Sequence, residues 1–331
     1  MTVSEIKDKI FQISSDEEFN ILALEIFRFQ YQNNSFYKQY VDCVQKDVSQ
    51  INHYSQIPFL PIEFFKSQKI ICTKEPVKVV FGSSGTSGME KSLHHVTDIS
   101  VYEKAAIACF EMFYGDISNF TFLALLPSYL ERQDSSLVWM INHYIQKSKY
   151  ASDCGFFLNE YDQLSEKLKF LNHEKSRKIL LIGVSFALLD FAEQFPLSLN
   201  NTIVMETGGM KGKRNEITRS QLHEILCKQF NISNIHSEYG MTELLSQAYS
   251  SGKGIFKLPP WMKILIRELN DPLCIEQSGR SGGINIIDLA NINSCSFIAT
   301  QDVGKVFNDN SFEVTGRFDY SDTRGCNLMV L

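Results

Sequence analysis

Apolar and polar residues follow two different spacings along this chain, and each spacing predicts a kind of element. From residue 21 to 36, apolar side chains recur at the three- and four-residue spacing of an amphipathic helix. Asp16 precedes this run and is the predicted N-cap, because its carboxylate can accept hydrogen bonds from the first free N–H groups. We therefore expect helical structure near the N-terminus.

From Val77 onward, short apolar runs and helical patterns follow one another. The predicted strands are 77–80, 120–126, 178–182, 202–205 and 232–237. The predicted helices are 97–114, 135–146, 161–172, 186–195 and 219–230. Strands that alternate with helices in this way are typical of a mostly parallel sheet with helices on both faces. The pattern therefore predicts an α/β fold.

The pattern changes after Pro259-Pro260, where short apolar runs are separated by Gly, Asp, Asn and Ser turns. Such runs predict an antiparallel, barrel-like group of strands. These predicted strands are 262–267, 283–288, 296–300 and 312–315. We therefore expect two parts, an α/β core with N-terminal helices over residues 1–260 and a β-rich region over residues 261–331.

Composition narrows the classes of function. The net charge is −6 and no block of Lys or Arg occurs, so nucleic acid is not an expected partner. The eight cysteines form no C-x-x-C pair, which argues against zinc and for free thiols in a reducing cytoplasm. The first residues are unlike a signal peptide, and the longest apolar stretch, 179–189, is too short to span a bilayer. We expect a soluble cytoplasmic protein without a membrane span.

The most distinctive segment is the loop at 81–91, FGSSGTSGMEK, which joins a predicted strand to the helix at 97–114. Glycines let backbone N–H groups approach an anion, hydroxyls add donors, and Lys91 supplies a positive charge. The loop has neither the Walker A spacing nor the G-x-G-x-x-G fingerprint. Taken alone, it is typical of either a phosphate-binding loop or a surface turn.

Two further motifs favour the phosphate-binding alternative. SEYGMTE lies at 237–243, and TQDVG at 300–304 is followed by GRFD at 316–319. In this order, the three motifs resemble those of the adenylate-forming enzymes, which activate carboxylates with ATP. The resemblance implies the large-domain fold of that superfamily, in which the β-rich region completes the nucleotide site. Glu90 and Gln301 stand where the superfamily usually has proline and glycine.

The resemblance also implies roles for individual residues. The loop would hold the phosphates of ATP, and its binding residues would be Ser83, Ser84, Gly85, Thr86, Ser87, Gly88 and Lys91. Other residues would surround the rest of the nucleotide. These are Gly208 and Gly209 as a wall for adenine, Tyr239 and Gly240 beside it, Thr242 near the α-phosphate, Asp302 on the ribose, and Arg317 on the ribose or α-phosphate. Glu243 would bind Mg²⁺, because Mg²⁺ prefers hard carboxylate ligands.

The C-terminal string DTRGCNLM at 322–329 resembles the end of the bacterial acyl-protein synthetases of the LuxE family. LPSYLER at 126–132 and YGMTELLSQ at 239–247 fit the same family. Because the sequence stops 12 residues after Asp319, we expect no full mobile lid domain, which other adenylate-forming ligases carry. The resemblance implies that a fatty acid is activated as acyl-AMP, is transferred to Cys326, and passes to a partner acyl reductase or acyl carrier. The expected catalytic residues are then Lys91, Glu243, Arg317 and Cys326.

Other functions remain open from the sequence. The enzyme could transfer its acyl group to coenzyme A or a carrier protein instead of Cys326, or it could activate an aryl acid. A non-catalytic nucleotide-binding module is the alternative of another class. Cys326 itself could be a buried structural thiol, as most free cysteines are.

Overall fold

The computed structural model describes residues 1–45, 47–83, 90–126, 134–174, 177–209, 214, 217–276 and 279–318. The described α-helices are α1 (Val3–Ile10), α2 (Asp16–Asn33), α3 (Ser35–Val44), α4 (Phe64–Ser67), α5 (Ile99–Tyr114), α6 (Ser136–Lys147), α7 (Tyr161–Asn172), α8 (Ser185–Gln194) and α9 (Arg219–Phe230). The described strands are β1 (Leu60–Pro61), β2 (Val79–Gly82), β3 (Leu93–Val96), β4 (Phe120–Leu125), β5 (Gly155–Phe157), β6 (Lys178–Val184), β7 (Thr202–Thr207), β8 (His236–Tyr239), β9 (Ala248–Ser250), β10 (Ile255–Phe256), β11 (Met262–Arg267), β12 (Ser281–Asp288), β13 (Phe297–Val306) and β14 (Phe312–Arg317).

The first large sheet has the strand order β5-β4-β6-β7-β8-β9. All neighbouring strands in it are parallel except β8 and β9, which are antiparallel. Every residue of β4 is buried, as expected for a strand covered on both sides. The predicted α/β fold with a mostly parallel sheet is therefore confirmed.

Helices cover both faces of this sheet. Consecutive side chains of a strand point to opposite faces of the sheet, so Glu206 and Thr207 of β7 lie on opposite faces. Glu206 pairs with Arg219 of α9 on one face. On the other face, the Thr207 hydroxyl donates to Glu238, and burial together with the charge of Glu238 raises the pKa of Tyr102 on α5.

The second large sheet has the order β10-β14-β13-β12-β11, with all these pairs antiparallel. β1 adds to β13 in parallel. The antiparallel character predicted for the C-terminal strands is confirmed, and β1 and β10 show that segments before Pro260 also join this sheet. A separate two-stranded hairpin, β2 and β3, flanks the glycine-rich loop.

Two local predictions were wrong, each for a physical reason. The helix expected over 21–36 is two helices, because Asn34 has extended backbone angles and its side chain caps α3. The N-cap of α2 is Ser15 rather than Asp16, since the Ser15 hydroxyl accepts the Glu18 N–H. The apolar periodicity continues through the break because both helices pack on the same core.

The strand expected over 232–237 occupies His236–Tyr239 instead. Asn231 adopts a left-handed conformation with a φ of 50° and ends α9. The Ile232 N–H then donates to the Cys227 carbonyl, so this apolar residue belongs to the helix cap. Within the described part of the chain, no helix is both long and apolar enough to cross a bilayer.

Candidate functional site

Residues of the second and third motifs meet where the two large sheets adjoin. Tyr239 ends β8, whereas Asp302 and Arg317 are directly opposite each other on β13 and β14. The Tyr239 hydroxyl donates to Asp302 Oδ2 over 2.8 Å, and Arg317 Nε lies 3.4 Å from Asp302 Oδ1. The structure thus brings together three side chains from two motifs that are far apart in the sequence.

Asp302 is the centre of this group. Burial raises the pKa of its carboxyl, whereas the Tyr239 hydroxyl and the Arg317 guanidinium oppose that increase. Its side chain is only 13% exposed, whereas that of Arg317 is 66% exposed. A largely buried carboxylate that can accept hydrogen bonds, beside an exposed arginine, suits a ligand that carries both hydroxyl groups and negative charge.

The Tyr239 ring is held by Phe256 and Phe312, with ring centroids 5.7 and 5.4 Å away. The residue is only 8% exposed. The hydroxyl, rather than an exposed ring face, is therefore what joins Tyr239 to the site. Stacking of adenine on this ring stays a prediction.

Gly208 and Gly209 follow β7 and are both exposed. Gly208 has a φ of 68°, a left-handed conformation that favours glycine, and its carbonyl accepts a hydrogen bond from the Ser185 hydroxyl at 2.9 Å. Among the described residues, no atom lies within 4 Å of the position that a Gly209 Cβ would take. This open, bare backbone fits the flat base that we predict there.

Gly240 lies close to the Glu238 side chain. A Cβ on Gly240 would clash with Glu238 Oε1, so a larger residue there would make the Glu238 carboxylate shift. The Thr207 hydroxyl donates to Glu238 Oε2 over 2.5 Å. Burial raises the pKa of Glu238 to about 7, and nearby Glu206 adds to the increase. The sequence pattern does not single out Glu238, because its pKa depends on burial.

Glu243 is buried, with 5% of its surface exposed. Burial raises the pKa of its carboxyl, and a hydrogen bond with Ser92 and the charge of Arg317 oppose the increase. A buried carboxylate of this kind would be stabilised by a cation. No group of three potential metal-ligating side chains occurs among the described residues, but Mg²⁺ commonly takes one or two carboxylates and completes its shell with phosphate oxygens and water. The predicted role of Glu243 therefore fits its surroundings.

The described part of the glycine-rich loop is closed at its base by two hydrogen bonds. The Ser83 N–H donates to the Ser92 carbonyl, and the Ser92 N–H donates to Ser83 Oγ, both over 3.0 Å. Lys91 is 47% exposed, and its Nζ lies 3.6 Å from Asp134 Oδ2. Some predicted site residues lie outside the described residues, namely Ser84, Gly85, Thr86, Ser87, Gly88 and Cys326.

Comparison with solved structures shows that the fold is that of the adenylate-forming ligases. An open conformation of 2-hydroxyisobutyryl-CoA ligase, in complex with 2-HIB-AMP and CoA, matches 92% of this chain and 70% of its own, with a TM-score of 0.70 and 10% identity. ATP-bound MatB from Rhodopseudomonas palustris matches 74% of this chain with a TM-score of 0.56 and 13% identity. This chain spans about half of MatB, at 49% of its length. A search of curated protein sequences found no significant match.

The sequence also matches a family model over nearly its whole length. The model describes the acyl-protein synthetases named LuxE, and the match runs from residue 2 to residue 331. The strings at 126–132, 239–247 and 322–329 predict the same family. This protein therefore belongs to the LuxE family of acyl-protein synthetases.

Proposed function

We propose that this protein is a cytoplasmic ligase that uses ATP to activate a carboxylic acid, specifically a fatty acid, and then accepts the acyl group on Cys326. Family membership and the ligase fold support acid adenylation. The observation that carries the proposal is the convergence of Tyr239, Asp302 and Arg317 at the junction of the two sheets. Glu243 belongs to the same motif as Tyr239, and its pKa responds to the charges of Arg317 and Asp302.

In the first half-reaction, a carboxylate oxygen of the acid attacks the α-phosphorus of ATP. A bond forms between that oxygen and phosphorus, the bond to the bridging oxygen of pyrophosphate breaks, and pyrophosphate leaves. Because both reactants are anions, positive charge at the site lowers the barrier. Arg317 and Lys91 would supply it, with Asp302 orienting the ribose. Mg²⁺ held by Glu243 would neutralise phosphate charge.

In the second half-reaction, the Cys326 sulfur attacks the acyl carbon of acyl-AMP. A carbon–sulfur bond forms, the carbon–oxygen bond to AMP breaks, and the thiol proton passes to water. The thioester remains reactive enough for transfer to an acyl reductase or acyl carrier partner. A thiolate is the nucleophile, so the acceptor must be a cysteine that can ionise.

Five of the described cysteines are poor candidates for the acyl acceptor. Burial raises the pKa of five thiols, those of Cys72, Cys109, Cys154, Cys227 and Cys295. For Cys295 the pKa is about 12. Cys43 and Cys274 are the exposed thiols among the described residues and serve as matched controls.

Pyrophosphate release tests the proposal. Purified protein is incubated with ATP, Mg²⁺ and one acid at a time, across saturated fatty acids of increasing length and a set of aryl acids. We expect fatty acids to support release and aryl acids not to. Preference for aryl acids would reassign the substrate, and no release with any acid would favour a non-catalytic nucleotide-binding module.

A further inference from the structure

The backbone around Glu243 is held by buried side chains from outside its motif. His94 of β3 uses Nδ1 to donate to the Thr242 carbonyl over 3.0 Å. The proton must lie on Nδ1, because a carbonyl can only accept. Asn291, which follows β12, donates from Nδ2 to the Glu243 carbonyl over 2.7 Å. Two successive carbonyls are thus fixed from two sides.

Leu245 and Ser246 are anchored as well. Asp288 at the end of β12 accepts the N–H groups of Leu245 and Ser246 on Oδ2, at 3.0 and 2.9 Å. Its Oδ1 accepts the Ser246 hydroxyl at 2.8 Å. The Leu245 N–H is shared, because it also donates to Asn291 Oδ1 at 3.0 Å. These three side chains therefore hold four of the five residues from 242 to 246, and the Leu244 N–H donates to the Met241 carbonyl over 3.1 Å.

All three anchoring side chains are hidden from water. His94 is 1% exposed, and Asp288 and Asn291 are 0% exposed. Burial lowers the pKa of His94 to about 4, so the ring is neutral and can keep a proton on Nδ1 while Nε2 faces the Ser294 hydroxyl at 2.9 Å. Leaving a buried donor or acceptor without a partner is unfavourable, so the segment has little freedom to take another geometry.

The anchors also connect the segment to the glycine-rich loop. His94 lies on the hairpin that flanks the loop, two residues after Ser92. Burial raises the pKa of the nearby Glu243 carboxyl, and Ser92 lowers it. This part of the chain therefore lies beside the Glu243 side chain through Ser92, and it contacts the preceding backbone through the bond from His94 to Thr242. Asp288 and Asn291 reach the same segment from the second large sheet.

We propose that His94, Asp288 and Asn291 are positioning residues that fix the Glu243 carboxylate for the divalent cation of the nucleotide. The inference rests on the proposed function, in which Glu243 binds that cation. Outer groups that orient a metal ligand typically contribute about 10- to 100-fold to metal affinity. A role confined to stability would lower the melting temperature and leave cation affinity unchanged.

The test measures Mn²⁺ binding by electron paramagnetic resonance in the presence of α,β-methylene-ATP, whose α–β bridge cannot be cleaved and which therefore cannot transfer AMP to an acid. Asp288→Asn replaces one of the two accepting oxygens with an NH₂ group, which cannot accept a hydrogen bond. His94→Leu removes the N–H that donates to the Thr242 carbonyl. We expect each to weaken Mn²⁺ binding about 10-fold or more. His94→Asn should restore most of the affinity, because its amide nitrogen takes the place of Nδ1.

Tyr37→Phe is the stability control. The Tyr37 hydroxyl donates to the Pro58 carbonyl over 2.7 Å in a buried site on α3, so its loss destabilises the fold without touching the 242–246 segment. We expect Mn²⁺ affinity to stay at the wild-type level in this variant. Wild-type Mn²⁺ affinity in folded His94→Leu and Asp288→Asn would overturn the positioning role. Failure of the wild-type protein to bind the nucleotide and Mn²⁺ at all would instead overturn the proposed function.

Discussion

Tyr239 donates a 2.8 Å hydrogen bond to Asp302 although 63 residues separate the two in sequence. Tyr239 ends a strand of the parallel sheet, and Asp302 lies on a strand of the antiparallel sheet. Ligands of open α/β sheets bind beyond the carboxyl ends of the strands, where Tyr239 lies. This single bond therefore joins the two sheets at the predicted ribose position.

Tyr239→Phe should weaken nucleotide binding. The change removes a donor to a carboxylate, a bond that contributes about 1.5–3 kcal/mol, and frees Asp302 to turn away from the ribose. Calorimetric titration with ATP and Mg²⁺ measures the loss. Tyr144→Phe is the control, because it removes a buried hydroxyl that donates to the Ala106 carbonyl over 2.9 Å. Equal ATP affinity in the two variants would contradict the role of the Tyr239–Asp302 pair.

Glu243→Gln should slow acid-dependent pyrophosphate exchange by about two to three orders of magnitude, the size typical of lost electrostatic stabilisation. The protein should not lose stability at neutral pH, because burial raises the pKa of Glu243 and so disfavours its charged form. Thermal denaturation checks this second point. Pyrophosphate exchange at the wild-type rate in the folded variant would show that Glu243 takes no part in adenylation.

Lys91→Ala should reduce the same exchange rate by a similar factor, about two to three orders of magnitude, if its ammonium group faces the phosphates. Lys38→Ala is a matched control. Both lysines are 47% exposed and pair with an aspartate, Lys91 with Asp134 and Lys38 with Asp42. A similar small effect in both variants would mean that Lys91 is a solvated lysine of the loop.

Glu238→Gln should change how stability depends on pH. The folded pKa of Glu238 is about 7, above its ordinary value of 4.5. Between these two pH values, the native state keeps a proton that the unfolded state loses. The contribution of Glu238 to the free energy of unfolding is therefore full below pH 4.5 and is lost as pH rises through 7. Between these values, the wild type should lose stability relative to Glu238→Gln by on the order of 1 kcal/mol per pH unit.

Denaturant unfolding at several pH values measures this slope, and Glu206→Gln gives a comparison of opposite sign that should also lower the pKa of Glu238. Burial alone would raise the pKa of Glu206, but His223 and Arg219 lower it. Its contribution is therefore present above the unfolded pKa and lost as pH falls. Parallel pH profiles for the wild type and Glu238→Gln would show that Glu238 titrates normally.

Cys326→Ser should separate the two half-reactions. Adenylation uses the nucleotide site, so pyrophosphate release should continue, whereas a serine hydroxyl without a neighbouring base cannot replace a thiolate. Radiolabelled fatty acid with ATP, followed by denaturing electrophoresis, should show a hydroxylamine-sensitive label on wild type, Cys43→Ser and Cys274→Ser only. Label on Cys326→Ser would identify another cysteine, and no label on an active wild type would favour transfer to a separate carrier or coenzyme A.

The sequence by itself determined the elements whose signals are local. The helices at Tyr161–Asn172 and Arg219–Phe230 and the strand at Met262–Arg267 occur where apolar periodicity predicts them. Periodicity within a dozen residues reflects which face an element buries, so no distant contact is needed to recognise it. The motifs likewise predict the family, because their residue types and order are read directly from the chain.

Only the tertiary structure decided which side chains contact each other and how burial changes their pKa. Asp288 contacts Leu245 from 43 residues away and His94 contacts Thr242 from 148. Such pairs depend on strand order and on how two sheets pack, which no local pattern encodes. The pKa of Glu238 follows the same rule, since burial by distant segments raises it to about 7.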